Sequence, residues 1–324
     1  MLSKCLFCIV LYITECFTLN ETTPNSVNGS ETSTVTSDPN KDIWIPRVIN
    51  GIPAQLGEVP YQVSLKKLMI DDIYMTFCGG SIISEQKVLS AAHCFVENVQ
   101  ISISQEGYIG TNMLLNKCAV AGCLLNKDKY TDKNDRAQWR MLASARYPKK
   151  FNFPNHDIAV VYVRTPFIYN DYVAPIPIAS KNLDYQTTCL ASGYGRTSHT
   201  QKGAISNILL LAQLELNKQS TCSALLLRYT DNFVCITIQA SDVAKGDSGG
   251  PLVCKNTNDP NEKDKGVLVG VVSGHSKDRG SFFTRVSKYY NFVTDDFPSG
   301  SSSSYYLDTF TPIMLTILYK TFLF

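Results

Sequence analysis

The chain has 324 residues, with 30 Lys and Arg against 28 Asp and Glu for a formal charge of +2. That balance supplies neither the basic field of a nucleic-acid binder nor an acidic field for cationic partners, so nucleic acid is not an expected partner. Eleven cysteines make an exported, disulfide-bonded chain the natural first reading. Residues 1–17 hold Lys4 and then the apolar run Leu6-Phe7-Cys8-Ile9-Val10-Leu11-Tyr12-Ile13, which suits a signal peptide removed on export. Its loss takes Cys5, Cys8 and Cys16 with it and leaves eight cysteines, an even number that reads as four disulfides.

Residues 18–47 are rich in Ser, Thr, Asn and Pro, with few large apolar residues before Ile43-Trp44-Ile45. This composition predicts an unstructured pro-segment. Asn20-Glu21-Thr22 and Asn28-Gly29-Ser30 are glycosylation sequons, in keeping with an exposed segment. From Val48 to Phe297 the pattern changes to short apolar or alternating runs broken by Gly, Pro, Asn and Asp, around Tyr61–Leu65, Val88–Ala92, Ile158–Val163, Ile208 onward and Val267–Val272. That spacing predicts an all-β protein. Between these runs, the charged stretch from Asp128 to Arg140 reads as a solvated loop, and helical character is expected only in Lys288–Val293.

Three positions carry chemistry. Gly246-Asp247-Ser248-Gly249-Gly250-Pro251 seats a serine hydroxyl among glycines that leave room for a substrate carbonyl. Serine is a poor nucleophile unaided, so Ser248 needs a base and a carboxylate to hold that base. His93, in Leu89-Ser90-Ala91-Ala92-His93-Cys94, is the base candidate; His156, His199 and His275 have no comparable setting. Asp157 opens the apolar run Ile158–Val163, which places a carboxylate at the start of a buried strand. Taken singly, these residues read equally well as a tight turn, a core histidine and a strand-capping aspartate.

In this order, Ala91-Ala92-His93-Cys94, Asp157-Ile158-Ala159-Val160 and Gly246–Pro251 resemble the chymotrypsin/trypsin family of serine endopeptidases, over about Val48 to Phe297. The resemblance implies two antiparallel β-barrels with the site in the cleft between them, and a short C-terminal helix. It implies His93 as base then acid, Asp157 as its holder and Ser248 as nucleophile, with the amides of Gly246 and Ser248 as the oxyanion hole. Protein or peptide substrates and protein inhibitors are the implied partners, and neither a metal nor another cofactor is expected. Pro46-Arg47-Val48-Ile49 resembles the family's activation junction. Cleavage after Arg47 by an activating protease would free the amine of Val48 to pair with Asp247, so the chain reads as a zymogen. The family also suggests the pairs Cys78–Cys94, Cys189–Cys254 and Cys222–Cys235, leaving Cys118 and Cys123 as a local pair with no family counterpart.

Substrate choice is expected at Asp242, six residues before Ser248, where trypsin-like members place the aspartate that receives Arg or Lys. A buried carboxylate demands a cation. Two alignments are open for Val271-Val272-Ser273-Gly274-His275. In one, Gly274 replaces an aromatic and His275 replaces the wall glycine, so an imidazole enters the pocket; in the other, Gly274 is itself the wall glycine. Ser281 stands near a second wall glycine of the family and narrows the pocket. A protease homologue of weak activity, binding a partner through its cleft, is therefore the alternative to a trypsin-like enzyme.

The tail, 298–324, is a Ser-rich linker followed by the mostly apolar Pro312–Phe324. Thirteen helical residues reach about 20 Å, short of the ~30 Å hydrocarbon core. Two readings stay open: a signal for a GPI lipid anchor attached near Gly300 or Ser301, and a retained tail on a secreted enzyme.

Overall fold

The computed structural model describes residues 49–295, apart from 97–106, 131–135, 186, 199–203, 226–230 and 277–278. The predicted signal peptide, the pro-segment with Arg47, Val48 and the C-terminal tail lie outside the described residues.

Short runs of β-branched and aromatic residues between turn formers favour strands. In chain order these are β1 (Ile52–Pro53), β2 (Gln62–Ile70), β3 (Ile73–Ser84), β4 (Lys87–Ser90), β5 (Tyr108–Ile109), β6 (Lys117–Ala121), β7 (Lys127–Lys129), β8 (Gln138–Arg146) and β9 (Ala159–Val163). There follow β10 (Thr188–Gly193), β11 (Leu210–Glu215), β12 (Phe233–Cys235), β13 (Pro251–Cys254), β14 (Val267–Ser276) and β15 (Gly280–Arg285). Among the described residues the helices are α1 (His93–Val96), α2 (Gln219–Leu225) and α3 (Tyr290–Thr294), with 3-10 turns at Thr111–Leu114 and, just before α3, at Val286–Tyr289. Lys288–Val293 is helical as expected, its first turn tighter than α, but α1, α2 and the turn at Thr111–Leu114 correct the expectation that helix occurs only there.

The first sheet runs β2-β6-β8-β9-β4-β3-β7, and β2 pairs again with β3, closing six strands into a barrel. The second runs β1-β11-β10-β13-β14-β15-β12. The expected pair of barrels is therefore one closed barrel and a second antiparallel sheet. Because side chains alternate across a strand, β4 and β9 serve two cores at once. Val88, Ala159, Val161 and Val163 point into the barrel, while Leu89, Ile158 and Val160 pack with Leu211, Val253, Leu268 and Val271 from the second sheet. These alternating strands fasten the two sheets together beside the cleft.

The stretch from Asp128 to Arg140 departs from expectation. Asp128 and Lys129 belong to β7, which pairs with β3, and Gln138–Arg140 begin β8, which pairs with β6. The charges that suggested a loop alternate with residues that pack: Trp139 and Met141 lie against Cys118, Val120 and Cys123.

Three disulfides, Cys78–Cys94, Cys189–Cys254 and Cys222–Cys235, join as the resemblance implied. Each is worth about 2–4 kcal/mol. Cys118 and Cys123 instead remain buried free thiols, which corrects the expected fourth bridge. Cys118 sits within β6, opposite Lys66 of β2 and Met141 of β8, and its sulfur faces Lys66 O at 3.9 Å. Beyond the turn at Gly122, the Cys123 sulfur faces Asp128 Oδ2 at 3.5 Å. Burial pushes the Cys118 thiol up to about 12. Opposite Cys118 on β2 lies Lys66, fully buried, donating to Leu125 O at 2.8 Å with its ammonium 5.4 Å from the Trp139 ring centroid.

Candidate active site

Antiparallel pairing of β4 with β9 sets Ser90 opposite Ala159. The end of β4 and the start of β9 therefore coincide, and the residues just beyond them, His93 and Asp157, meet. Asp157 Oδ1 accepts the His93 backbone N–H at 2.9 Å, and Oδ2 faces His93 Nδ1 at 2.7 Å. The Asp157 side chain is wholly buried and the imidazole 11% exposed. Oδ2 also accepts the Ser273 hydroxyl at 2.5 Å. An ionised carboxylate only accepts, so Nδ1 carries a proton and donates it to Asp157. In the neutral ring this leaves the lone pair on Nε2, the tautomer a general base requires.

Ser273 reaches Asp157 because of a β-bulge. The β14–β15 register runs Val272 to Phe283 and then Gly274 to Phe282, so Ser273 has no partner in the ladder. A bulged residue is re-aimed out of the regular alternation. Sequence reading placed Ser273 only in the substrate-binding wall; its bond to Asp157 is an added role that needed the register to be seen.

Ser248 lies in the turn before β13. Gly249 N–H donates to Val272 O at 2.8 Å, Val272 N–H to Gly250 O at 3.0 Å, and Gly79 N–H to Ser248 O at 2.8 Å. These bonds anchor the turn to both sheets, against β14 and β3. Gly246 has φ +111°, a conformation L side chains rarely adopt. At Gly195 a Cβ would stand 2.4 Å from Asp247 Oδ2, so only glycine admits that carboxylate.

Asp247 is buried, and its oxygens accept the N–H groups of Gly195 at 2.7 Å and Ala244 at 2.8 Å. Burial pushes its carboxyl up to about 6, against the pull of those two donors. Nearby, Ile49 forms a bridge with Asp242, whose N–H reaches Ile49 O at 3.3 Å, and Asn50 Nδ2 donates to Ala240 O at 2.5 Å. The chain just after the proposed junction is thus held within the second sheet's loops.

An imidazole stands in the wall of the cavity beside Ser248. His275 pairs with Ser281 across β14 and β15. His275 Nδ1 lies 3.1 Å from Asp242 Oδ2 and 3.0 Å from Ser281 Oγ. The Ser281 hydroxyl donates to Asp242 Oδ1 at 2.5 Å, and Val243 N–H reaches the same oxygen at 2.7 Å. Asp242 is only 3% exposed. Gly274 is held bare by Phe282, whose ring would lie 2.5 Å from a Cβ there. Phe282 continues to Phe153, 6.5 Å between centroids, and Phe153 meets the His93 ring edge-on at 5.6 Å. Sequence reading missed both aromatics, since no local pattern ties them to the site.

A cavity of about 560 Å³ adjoins Ser248 and is lined by Ser273, Gly274, His275, Arg196 and Lys245, among others. Its size suits a side chain or small ligand. Arg196 N–H donates to Lys245 O at 2.9 Å, which brings these two residues of separate loops to one rim. Ligand atoms of Cys78, His93 and Cys94 also lie within 4.8 Å of one another. The two sulfurs are bonded to each other, so this trio does not offer a metal its thiolates.

The family model for trypsin matches residues 48–293. Similarity extends to a human protein named "Putative trypsin-6", 28% identical over 264 residues that cover 79% of this chain and 91% of that protein.

Proposed function

The chain belongs to the trypsin family of serine proteases, and from that premise we propose that it is a serine endopeptidase working through an acyl-enzyme. Ser248 attacks the peptide carbonyl, His93 takes its proton and later returns it to the leaving amine, and Asp157 holds the imidazole and stabilises its charged form. The amides of Gly246 and Ser248 receive the developing oxyanion, each worth roughly 10²- to 10³-fold in turnover. The observation that carries this reading is the two-point grip of Asp157 on His93, at 2.9 and 2.7 Å, with Ser273 locking the carboxylate.

The proposal includes synthesis as a zymogen. Val48 precedes Ile49, which bridges to Asp242 five residues before Asp247. An amine freed at Val48 by an activating protease would find in Asp247 a buried carboxylate in need of a cation. Export into an oxidising compartment is part of the same reading, supported by three disulfides among the described residues. Attachment of the tail to a lipid anchor stays a proposal resting on its sequence alone.

Cleavage after Arg or Lys requires Asp242 to face the substrate, and Asp242 faces His275 and Ser281. The same contact favours a second reading, a weakly active homologue that binds a partner in its cleft. Protein cleaved after Arg47 separates the two when treated with a fluorophosphonate and with a peptide library. Labelling and turnover that both vanish in Ser248→Ala establish the peptidase. Labelling without turnover of any peptide selects the binding module, and no labelling removes Ser248 as nucleophile.

A further inference from the structure

Resting on the reading of Ser248 as nucleophile, we propose that the pocket beside it selects an acidic side chain, Asp or Glu, on the residue whose carbonyl is attacked. Three observations converge. The first is that Asp242 is spent inside the protein. Ser281 has one hydroxyl proton, and it goes to Asp242 Oδ1. His275 Nδ1 faces Asp242 Oδ2 on one side and the Ser281 oxygen on the other, both acceptors, so Nδ1 is the donor. The histidine is thereby held as the resident partner of that carboxylate. An incoming Lys or Arg would have to displace it before touching Asp242, and would leave the imidazole nitrogen to find another acceptor.

The second observation is the sign of what faces the cavity. Among the described residues, the cationic Arg196 and Lys245 line it together with His275, and no Asp or Glu does. Asp242 is not among its lining residues. The third is placement: the bond from Arg196 N–H to Lys245 O fixes two basic residues on adjoining loops, and Lys245 is one residue from Gly246 and three from Ser248. A carboxylate entering beside the nucleophile gains a charge-assisted hydrogen bond from Lys245, whereas a cationic side chain meets like charge at this rim. Lys245 is exposed, so its share of the selection is open to salt.

The test uses the full chain cleaved after Arg47, a fluorophosphonate to count competent Ser248, and fluorogenic peptides differing only in the residue before the scissile bond. The expected result is a kcat/KM for Glu or Asp at least tenfold above Arg or Lys, carried mainly in KM, and shrinking as salt rises. Lys245→Glu should abolish or invert that preference in kcat/KM counted per fluorophosphonate-labelled Ser248. The double variant His275→Gly with Ser281→Gly, which uncovers Asp242, should shift preference toward Arg and Lys. Normal labelling with faster cleavage after Arg or Lys in the unaltered protein overturns this proposal alone. Equal rates for acidic and basic residues also overturn it. Failure to label overturns the peptidase reading and this one together.

Discussion

Cutting the chain after Arg47 should change how its stability depends on pH, and Asp247 supplies the sign and the size. Asp247 is buried, and burial lifts its carboxyl from 3.8 to about 6, with Asp242 adding to the rise and the N–H groups of Ala244 and Gly195 opposing it. In the uncut chain the folded state therefore holds the proton more tightly than the unfolded one. The contribution is fully present below about pH 4 and is lost as pH rises through about 6. Two pKa units at 1.36 kcal/mol each make this a loss of about 3 kcal/mol. An ammonium freed at Val48 and paired with Asp247 would favour the ionised carboxylate and remove that loss. Urea unfolding between pH 4 and pH 7 measures it, comparing the uncleavable Arg47→Gln protein with the cut protein, each with and without Asp247→Asn to subtract other carboxylates. The uncut protein should lose about 3 kcal/mol relative to its Asp247→Asn form across that range, and the cut protein should lose little or gain. The same pH slope in both forms would refute the pairing of Val48 with Asp247.

Asp157→Asn should leave the fold intact and lower kcat on the order of 10⁴-fold, because the amide can present a donor to His93 and favour the wrong tautomer; steady-state kinetics on any cleaved peptide reads this out. Ser273→Ala removes the 2.5 Å bond to a buried carboxylate and should cost about 1.5–3 kcal/mol in denaturant unfolding, while the other two bonds to Asp157 persist. For the free thiols, alkylation followed by mass spectrometry of the mature protein should show no modification of Cys118 or Cys123 in the native state and full modification of both after unfolding without reductant. Two unreactive cysteines after unfolding would restore the bridge.

Motifs that depend on residues adjacent in the chain were legible directly. Gly246–Pro251 needs its glycines within one turn, and Ala91–Cys94 and Asp157–Val160 lie at strand ends that the apolar runs already mark. The family and the all-β architecture follow from that local text, and the three disulfide pairs from the family resemblance alone. The same reading failed where the decisive contact spans the chain. Gln138–Arg140, at the end of the charged stretch, join a strand because β6 supplies Cys118, Val120 and a neighbouring backbone for Trp139. Cys118 and Cys123, five residues apart, looked like a pair, yet both remain buried free thiols with separate neighbours.

At the pocket, sequence offered Asp242, His275 and Ser281 as separate entries in a wall and left two alignments standing. The β14–β15 register, bulged at Ser273, turned one hydroxyl to Asp157 and one imidazole to Asp242. Arg196, Lys245, Phe153 and Phe282 gave no local signal, because their importance comes from loops and strands that meet only after folding. The chain's order of residues determined which groups are present and which strands form. Tertiary structure decided which charges face the substrate and which are consumed inside, since an electrostatic interaction depends on distance and burial, and neither is a property of position along the chain.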